Sequence, residues 1–402
     1  MDFLPILSTL RRHRTAATLV VLEIALTCAI VSNAVFLIRE RLARMDTPSG
    51  VVEEELVRVR LIGIGQTADA AALTAQDLVA LRAIPGVKSV ASTNQVPFGN
   101  SGWNSSVSSI PDDVSGSTTA SLYMGTQDLL ETWGVRLIAG RDFTPEEYVD
   151  ADAKDAKVSS AIVTRALAER LFPGQSPLGR TLYLGSDPET IVGVIDELAR
   201  PNDRNGPESA AYSMVLPLSI SYTTGGTYLI RVEPGRGGEV LAAVDATLTK
   251  VAANRIFTHL ESLTEVRDSY FRKDRSMAYL LIGVSLALLI ITALGIVGLA
   301  SFWVQQRTRQ IGIRRALGAS RGDILRYFLL ENFILATMGI VVGMGLAYAL
   351  NHWLMDAYAV PRLPATVLPI GAVALWLLGQ LAVLAPALRA ARISPAIATR
   401  SV

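Results

Sequence analysis

Four apolar runs punctuate the chain, at about Thr15 to Ile38, Met277 to Val304, Tyr327 to Leu350 and Thr366 to Leu388. Each is long enough to cross a hydrocarbon layer of roughly 30 Å as a helix, which takes about 20 residues. Between the first two, residues 39–275 hold no comparable run, so this stretch predicts a soluble domain of ordinary size. Its opening segment sets Val57, Val59 and Leu61 against Arg58 and Arg60, the period of a half-buried strand over Leu56 to Ile62. Thr74 with Asp77 forms a capping-box pattern ahead of Leu78, Leu81 and Ile84. Pro85 and Gly86 end that helix before a strand from Val87 to Ala91.

A second strand–helix–strand pattern follows far downstream: Tyr228 to Val232, a turn at Pro234-Gly235, Glu239 to Val251, then Ile256 to Leu260. Two such units pair as a split ferredoxin-like sheet, here lobe 1 at about 50–93 plus 225–261. Residues of about 94–224 become an inserted lobe 2, with strands at Leu122 to Thr126, Thr181 to Leu184, Thr190 to Ile195 and Met214 to Leu218 and a helix at Ala166 to Phe172. The fold class is therefore a membrane protein of four transmembrane α-helices, with a large two-lobed α/β (α+β) domain between helices 1 and 2.

The joints between domain and membrane also carry patterns. Ser262 and Glu265 make a capping box, and Leu263, Val266 and Tyr270 continue at helical spacing with no Gly or Pro before Gly283. That predicts one helix from Leu263 to Val304, with 262–275 as a stalk, about 60 Å long at 1.5 Å per residue. The first span extends through Arg41 to Met45 until Thr47-Pro48 breaks it. Two rigid stalks could transmit movement; plain membrane anchors are the alternative.

Charge sets the orientation. Segment 305–326 carries Arg307, Arg309, Arg314, Arg315, Arg321 and Arg326 against Asp323 alone, and such bias in a short loop marks the cytosolic side. Arg11, Arg12 and Arg14 before the first span and Arg389, Arg392 and Arg400 after the last place 1–14 and 389–402 in the cytosol too. The loop 351–365, with Arg362 against Asp356, and the large domain fall on the outer face by parity. Arg39, Arg41 and Arg44 oppose this mildly, but long domains translocate largely regardless of charge. Tyr279, Trp353 and Tyr358 on the outer side and Trp303 on the other suit interfacial aromatic belts. Ser32-Asn33-Ala34 resembles a signal-peptidase site, but the apolar run continues to Ile38, so retention of this span is expected.

With hydrophobic residues at 50%, net charge +1 and mean hydropathy +0.36, the composition agrees with a membrane protein and points to no nucleic-acid partner. Cys28, the single cysteine, lies in the first span, so no intrachain disulfide exists and the outer domain rests on its core. His13, His259 and His352 fall in separate compartments, which excludes a multi-histidine metal site within one domain. No G-x-x-x-x-G-K-[ST] loop occurs, and Ser101 and Ser176 lack nucleophile-elbow spacing and read as turn residues. No catalytic, metal or cofactor site is expected in this chain.

Inside the membrane, Gly339, Gly343 and Ala347 recur every four residues, a small-residue face for close helix approach within the chain or across a dimer. Glu23 sits about 12 Å into the first span. An ionised carboxylate there costs roughly 2.5–3.5 kcal/mol, so protonation, structural pairing or an inward orientation is expected. Glu331, near the cytosolic entrance of the third span, has Arg326 or a loop arginine as candidate partner. In the loop itself, Ile311, Ile313 and Leu317 fall at roughly one-face helical spacing beside Arg309, Arg314 and Arg315, an amphipathic element suited to a partner cleft.

The sequence R-x-IGIRRALGAS-x-x-DI followed by an apolar helix with an early Glu and a Gly-rich face, at Arg309, Ile311 to Ser320, Asp323, Ile324, Glu331, Gly339 and Gly343, resembles the FtsX/MacB-type permeases of ABC transporters. GVRLIAGRDF and LFPGQSPLGRTL, at Gly134 to Phe143 and Leu171 to Leu182, resemble the MacB-type periplasmic domain, so the likeness spans nearly the whole chain. Gln310 departs from the Glu usual in that family, so a role for that carboxylate does not carry over. The resemblance implies a bacterial inner-membrane permease subunit whose loop docks on a separate cytosolic ABC ATPase, the subunit that binds ATP. It also implies pairing with a second copy or a related permease, a periplasmic adaptor, and substrate moved or extracted on the outer side. A membrane-anchored sensor or regulator is the alternative.

Overall fold

The structure, a computed structural model of the chain, describes residues 14–65, 69–113, 116–153, 156–202, 210–223, 226–358, 362–366 and 368–393. Arg11, Arg12, His13, Thr224 and Arg400 lie outside the described residues. Two compact units form: Met1–Met45 with Lys273–Val402, and Asp46–Arg272. Helix α1 (Arg14–Met45) continues beyond Ile38 and stops short of Thr47-Pro48.

The second unit begins with β1 (Leu56–Gly63), α2 (Ala70–Arg82) and β2 (Val87–Thr93). Lobe 2 follows as β3 (Asn104–Ser108), β4 (Thr118–Met124), α3 (Leu129–Trp133), β5 (Leu137–Gly140), β6 (Val149–Asp150), β7 (Ser160–Thr164), α4 (Arg165–Leu171), β8 (Thr181–Leu184), β9 (Asp187–Ile195), β10 (Ser213–Leu216) and β11 (Leu218–Ser219). Then β12 (Thr227–Val232), α5 (Gly237–Val251) and β13 (Arg255–Ser262) complete lobe 1. Its sheet has the order β13-β1-β12-β2, all antiparallel, which is the ferredoxin-like arrangement read from the two strand–helix–strand patterns. Val57, Val59 and Leu61 face a core with Leu81, Val240, Val244 and Leu248 from the two helices.

Two local readings of lobe 1 are corrected. Arg58 is buried rather than solvent-facing and pairs with Glu261 on the neighbouring strand. The cap of α2 is Asp69, whose carboxylate accepts the Ala72 N–H at 2.8 Å, not the Thr74/Asp77 box. Thr74 instead donates to Ala70 O at 2.7 Å and accepts the Tyr222 N–H at 2.9 Å. Asp77, fully buried, takes a bidentate pair from Arg255, and Tyr228 donates its hydroxyl to Oδ2 at 2.6 Å. Arg255 also reaches Leu248 O at 2.8 Å, so one ion pair ties α2, α5, β12 and β13 together.

In lobe 2, β9-β7-β10-β4-β3-β8 pair in series and β8 pairs back to β9, closing a ring to which β5 is added at β9. Val107, Ala120, Val163, Leu182, Ile191 and Met214 belong to its core. Glu189 is 2% exposed in this lobe, with Oε2 lacking a hydrogen-bond partner among the described residues. Burial, reinforced by the Asp187 carboxylate, pushes its pKa up to about 8. The lobes are not independent, because Leu56, Ala91 and Leu229 of lobe 1 share one core with Tyr123, Trp133, Ile162 and Ile195 of lobe 2.

The Ser262/Glu265 capping box forms and opens α6 (Leu263–Tyr270). The predicted helix from Leu263 to Val304 is nevertheless interrupted: Phe271, at φ −87° and ψ 6°, separates α6 from α7 (Arg272–Gln306). Phe271 packs against Phe98 and Tyr270, with ring centroids at 5.2 and 4.8 Å, and Arg267 lies over Phe98 at 4.8 Å. Aromatic packing at the joint outweighs the helical spacing of the residues leading into it.

The chain then forms α8 (Thr308–Ala316), α9 (Arg321–Tyr358) and α10 (Leu368–Ala391). Helices α1, α7, α9 and α10 are long and apolar enough to cross a membrane. Small residues set the α1–α9 contact. A Cβ on Gly343 would lie 2.5 Å from Cys28 Cβ and 2.7 Å from Ala25 O, and one on Gly339 would lie 2.8 Å from Ile24 Cβ. Ala347 is fully buried, and its carbonyl accepts from Asn33 Nδ2 at 3.1 Å. The small-residue face is thus used within the chain. Thr27 and Thr292 join α1 to α7 at 2.7 Å, and Arg41 pairs with Asp274 where these two helices meet the second unit's boundaries in sequence.

Candidate coupling site

Arg307 is the turning point between α7 and α8. Its N–H still reaches back to Trp303 O at 3.1 Å, while its carbonyl accepts the Ile311 N–H at 2.9 Å, so the hydrogen-bond ladder runs on across the break. Its guanidinium Nη1 donates to both Glu331 oxygens, at 3.0 and 2.9 Å, and Glu331 is 1% exposed. The partner of Glu331 is therefore a loop arginine, Arg307, rather than Arg326. A buried pair of this kind is costly to break singly, about 3–5 kcal/mol, because the survivor is left charged and unmatched. Trp303, expected in an interfacial belt, is 5% exposed, with the Arg307 guanidinium 5.6 Å from its ring centroid. Tyr279 and Trp353 are exposed as a belt requires.

Helix α8 is held to the bundle along one face. Ile311 is 5% exposed and joins the membrane-unit core with Ile324 and Phe328. Arg314 lies over Tyr327 with Cζ 5.1 Å from the ring centroid, and Arg315 donates to Ile393 O. Gly318, at φ +103°, takes the left-handed position that ends the helix, and Leu317 N–H closes on Ile313 O at 3.0 Å. Ser320 and Asp323 then cap α9 reciprocally, at 2.9 and 3.2 Å.

The opposite face is open. Ile313 is 46% exposed and Leu317 83% exposed, beside exposed Arg309 and Gln310. Ile311, Ile313 and Leu317 therefore do not share a face: Ile311 is 200° around the helix from Ile313 at 100° per residue, and it anchors while the other two project. Arg315 likewise serves attachment. Glu23 is half-buried with no ion pair among the described residues, and its carboxylate abuts Gly295, where a Cβ would lie 2.5 Å from Oε1. Among the described residues no group of three His, Cys, Asp or Glu could hold a metal.

A family model described as the MacB-like periplasmic core domain matches residues 18–253, more than half of the chain, and one described as the FtsX-like permease C-terminal region matches 282–395. The chain belongs to the FtsX/MacB-type permease family. The macrolide export ATP-binding/permease protein MacB of Neisseria meningitidis is 29% identical over 255 residues, covering 59% of this chain and 37% of that protein. Its namesake in Bartonella henselae is 30% identical over 237 residues, covering 56% and 33%. The chain thus spans about a third of the length of the curated relatives it matches. The crystal structure of the periplasmic region of MacB from Actinobacillus actinomycetemcomitans aligns with TM-score 0.35 at 13% identity, over 55% of this chain and 94% of that one.

As an FtsX/MacB-type permease, the chain is an ABC-transporter permease component and a multi-pass inner-membrane protein with its large domain on the outer side. The motif that carries the family likeness, Arg309 to Ile324, is the stretch that builds α8, its glycine stop and the cap of α9. Arg307, immediately before it, was visible in the sequence only as one of six loop arginines. Its signal was Glu331, two dozen residues later, a carboxylate at the membrane entrance that calls for a basic partner.

Proposed function

We propose that this permease couples to a cytosolic nucleotide-binding ATPase, carried on a partner chain, through the open face of α8. Nucleotide-driven movement then passes through the spanning helices to the outer domain, where substrate is exported or extracted. The observation that carries this reading is the division of α8 into two faces. Ile311, Arg314 and Arg315 fasten it to the bundle, while Ile313 and Leu317 stand out as apolar anchors beside Arg309. Apolar side chains exposed at this level on a firmly held helix suit the centre of a protein interface, where buried anchors dominate affinity. The names of the MacB relatives join ATP binding to export, which supports the same assignment. Pairing with a second permease and an outer adaptor belong to the proposal by family likeness.

Leu317→Asp tests it, because the side chain is exposed and the change leaves the attachment face intact. The variant should insert and remain stable but lose copurification with the ATPase. Normal copurification and transport would remove α8 from the coupling role.

A further inference from the structure

Two stretches of chain attach the outer domain: Thr47 follows the end of α1 by two residues, and Phe271 immediately precedes α7. Arg267 clamps them together. Its Nη1 donates to Glu53 Oε1 at 2.7 Å and its Nη2 to Thr47 O at 2.6 Å. The same guanidinium lies over two rings, with Cζ 4.8 Å from the Phe98 centroid and 5.6 Å from that of Phe271. Phe98 also meets the Tyr270 and Phe271 rings at 5.5 and 5.2 Å and is 6% exposed.

The backbone of Phe98 is strained. Its φ of +58° lies in the left-handed region, where Cβ crowds the carbonyl and a bulky side chain is a true outlier. Such a conformation persists only while its surroundings hold it, and here two rings and a guanidinium grip the side chain. The segment that contains Phe98 links β2 of lobe 1 to β3 of lobe 2 and rests on residues 200–202. Phe98 N–H donates to Arg200 O at 3.4 Å, Asn100 N–H to Pro201 O at 2.8 Å, and Asn202 Nδ2 to Ser101 O. Arg200, buried, donates in turn to Ser121 Oγ on β4 at 3.1 Å and to Asn104 Oδ1 on β3 at 3.2 Å. A line of contacts therefore runs from both attachment stretches, through one strained residue, to β3 and β4.

We infer that Phe98 is a strained relay, which carries displacement of the two attachment stretches to the segment 96–103 of the outer domain. When Thr47 and Phe271 draw apart, Arg267 loses either the Thr47 carbonyl or the rings, and the grip on Phe98 fails. Its backbone then relaxes to negative φ, and Phe98 and Asn100 leave the carbonyls of Arg200 and Pro201. Arg267 acts through Phe98 and is a positioning residue. The inference rests on the coupling reading for the origin of the displacement in the cell, but the path from Arg267 to Phe98 is independent of it.

The test is hydrogen–deuterium exchange of the full chain in detergent, with no ATPase present. Arg44, 3.8 Å from Asp274, and exposed Lys273 mark the neighbouring ends of α1 and α7. Arg44→Cys and Lys273→Cys are bridged by rigid bis-maleimides of two lengths, and Cys28, fully buried, does not compete. The longer bridge should speed exchange at Phe98 and Asn100 at least about tenfold over the shorter one, the equivalent of one charge-assisted hydrogen bond lost, while β1 and β12 stay unchanged. Arg267→Lys keeps the charge without the planar fork, and Phe98→Gly takes positive φ freely, so in each that ratio should fall to about one. A role in folding alone would move the thermal melt or the baseline exchange but would leave the dependence on bridge length. Equal exchange with both bridges in the otherwise wild-type chain would overturn the relay. Faster exchange spread equally over β1 and β12, or an undiminished ratio in either variant, would overturn it as well. Because no ATPase takes part, a failure of α8 to couple would leave these results as they stand.

Discussion

Replacing either partner of the Arg307–Glu331 pair should damage the membrane unit far more than replacing both. In Glu331→Met the guanidinium keeps its buried position, with Nη1 having lost two acceptors at 3.0 and 2.9 Å. In Arg307→Met the carboxylate, 1% exposed, loses the guanidinium that donates to both its oxygens. Each single change should cost about 3–5 kcal/mol, whereas the double substitution with methionine fills similar volume with no stranded charge and should recover most of that loss. A loss of that size corresponds to a fall in Tm on the order of 10 °C for a unit of this length. Thermal unfolding of the four proteins in one detergent, followed by tryptophan fluorescence, closes the double-mutant cycle. A coupling of at least about 2 kcal/mol is expected. If the two single losses simply added in the double variant, the pair would not be an energetic unit and the attachment of α8 would need another explanation.

Gly343→Val should separate α1 from α9, because even its Cβ would lie 2.5 Å from Cys28 Cβ and 2.7 Å from a backbone oxygen that cannot step aside. A loss of about 1–3 kcal/mol, read as lower Tm in detergent, is expected, while Gly345→Val, which meets nothing within 4 Å, should stay near wild type. Glu189 gives a pH signature. Its folded pKa of about 8 against an ordinary 4.5 means the folded chain retains a proton that the unfolded chain releases, so its contribution to stability falls as pH rises from about 4.5 to 8 and is level above. Glu189→Gln should flatten the decline in Tm between pH 5.5 and 8.5, and identical profiles for the two proteins would contradict the buried, protonated carboxyl.

Patterns of uniform period were legible in the sequence; long-range partners were not. The four apolar helices and the four strands of lobe 1 announce themselves by length and alternation, and their pairing order follows from two strand–helix–strand units. Within lobe 2, β7 was missed because Ser160 to Thr164 is buried throughout and shows no alternation, and β3 because Asn104 to Ser108 is mostly polar. Asp77 looked like a local cap because its real partner, Arg255, lies 178 residues away. The break at Phe271 depends on Phe98, equally remote in sequence. At the candidate site the residues of α8 were legible as an amphipathic element, but their roles were not. Which isoleucine anchors and which projects depends on where α8 meets α9.

The measurement that bears most directly on the coupling role of α8 is site-specific photocrosslinking in native membranes. A photoreactive amino acid is placed singly at Leu317, Ile313, Ile311 and, as an outer-domain control, Val79, and the adducts are identified by mass spectrometry. Leu317 and Ile313 should yield peptides of a nucleotide-binding ATPase with a phosphate-binding loop, Ile311 should crosslink within the bundle, and Val79 should yield no ATPase peptide. Absence of ATPase peptides at both Leu317 and Ile313, with efficient capture of lipid or other proteins there, would contradict the account.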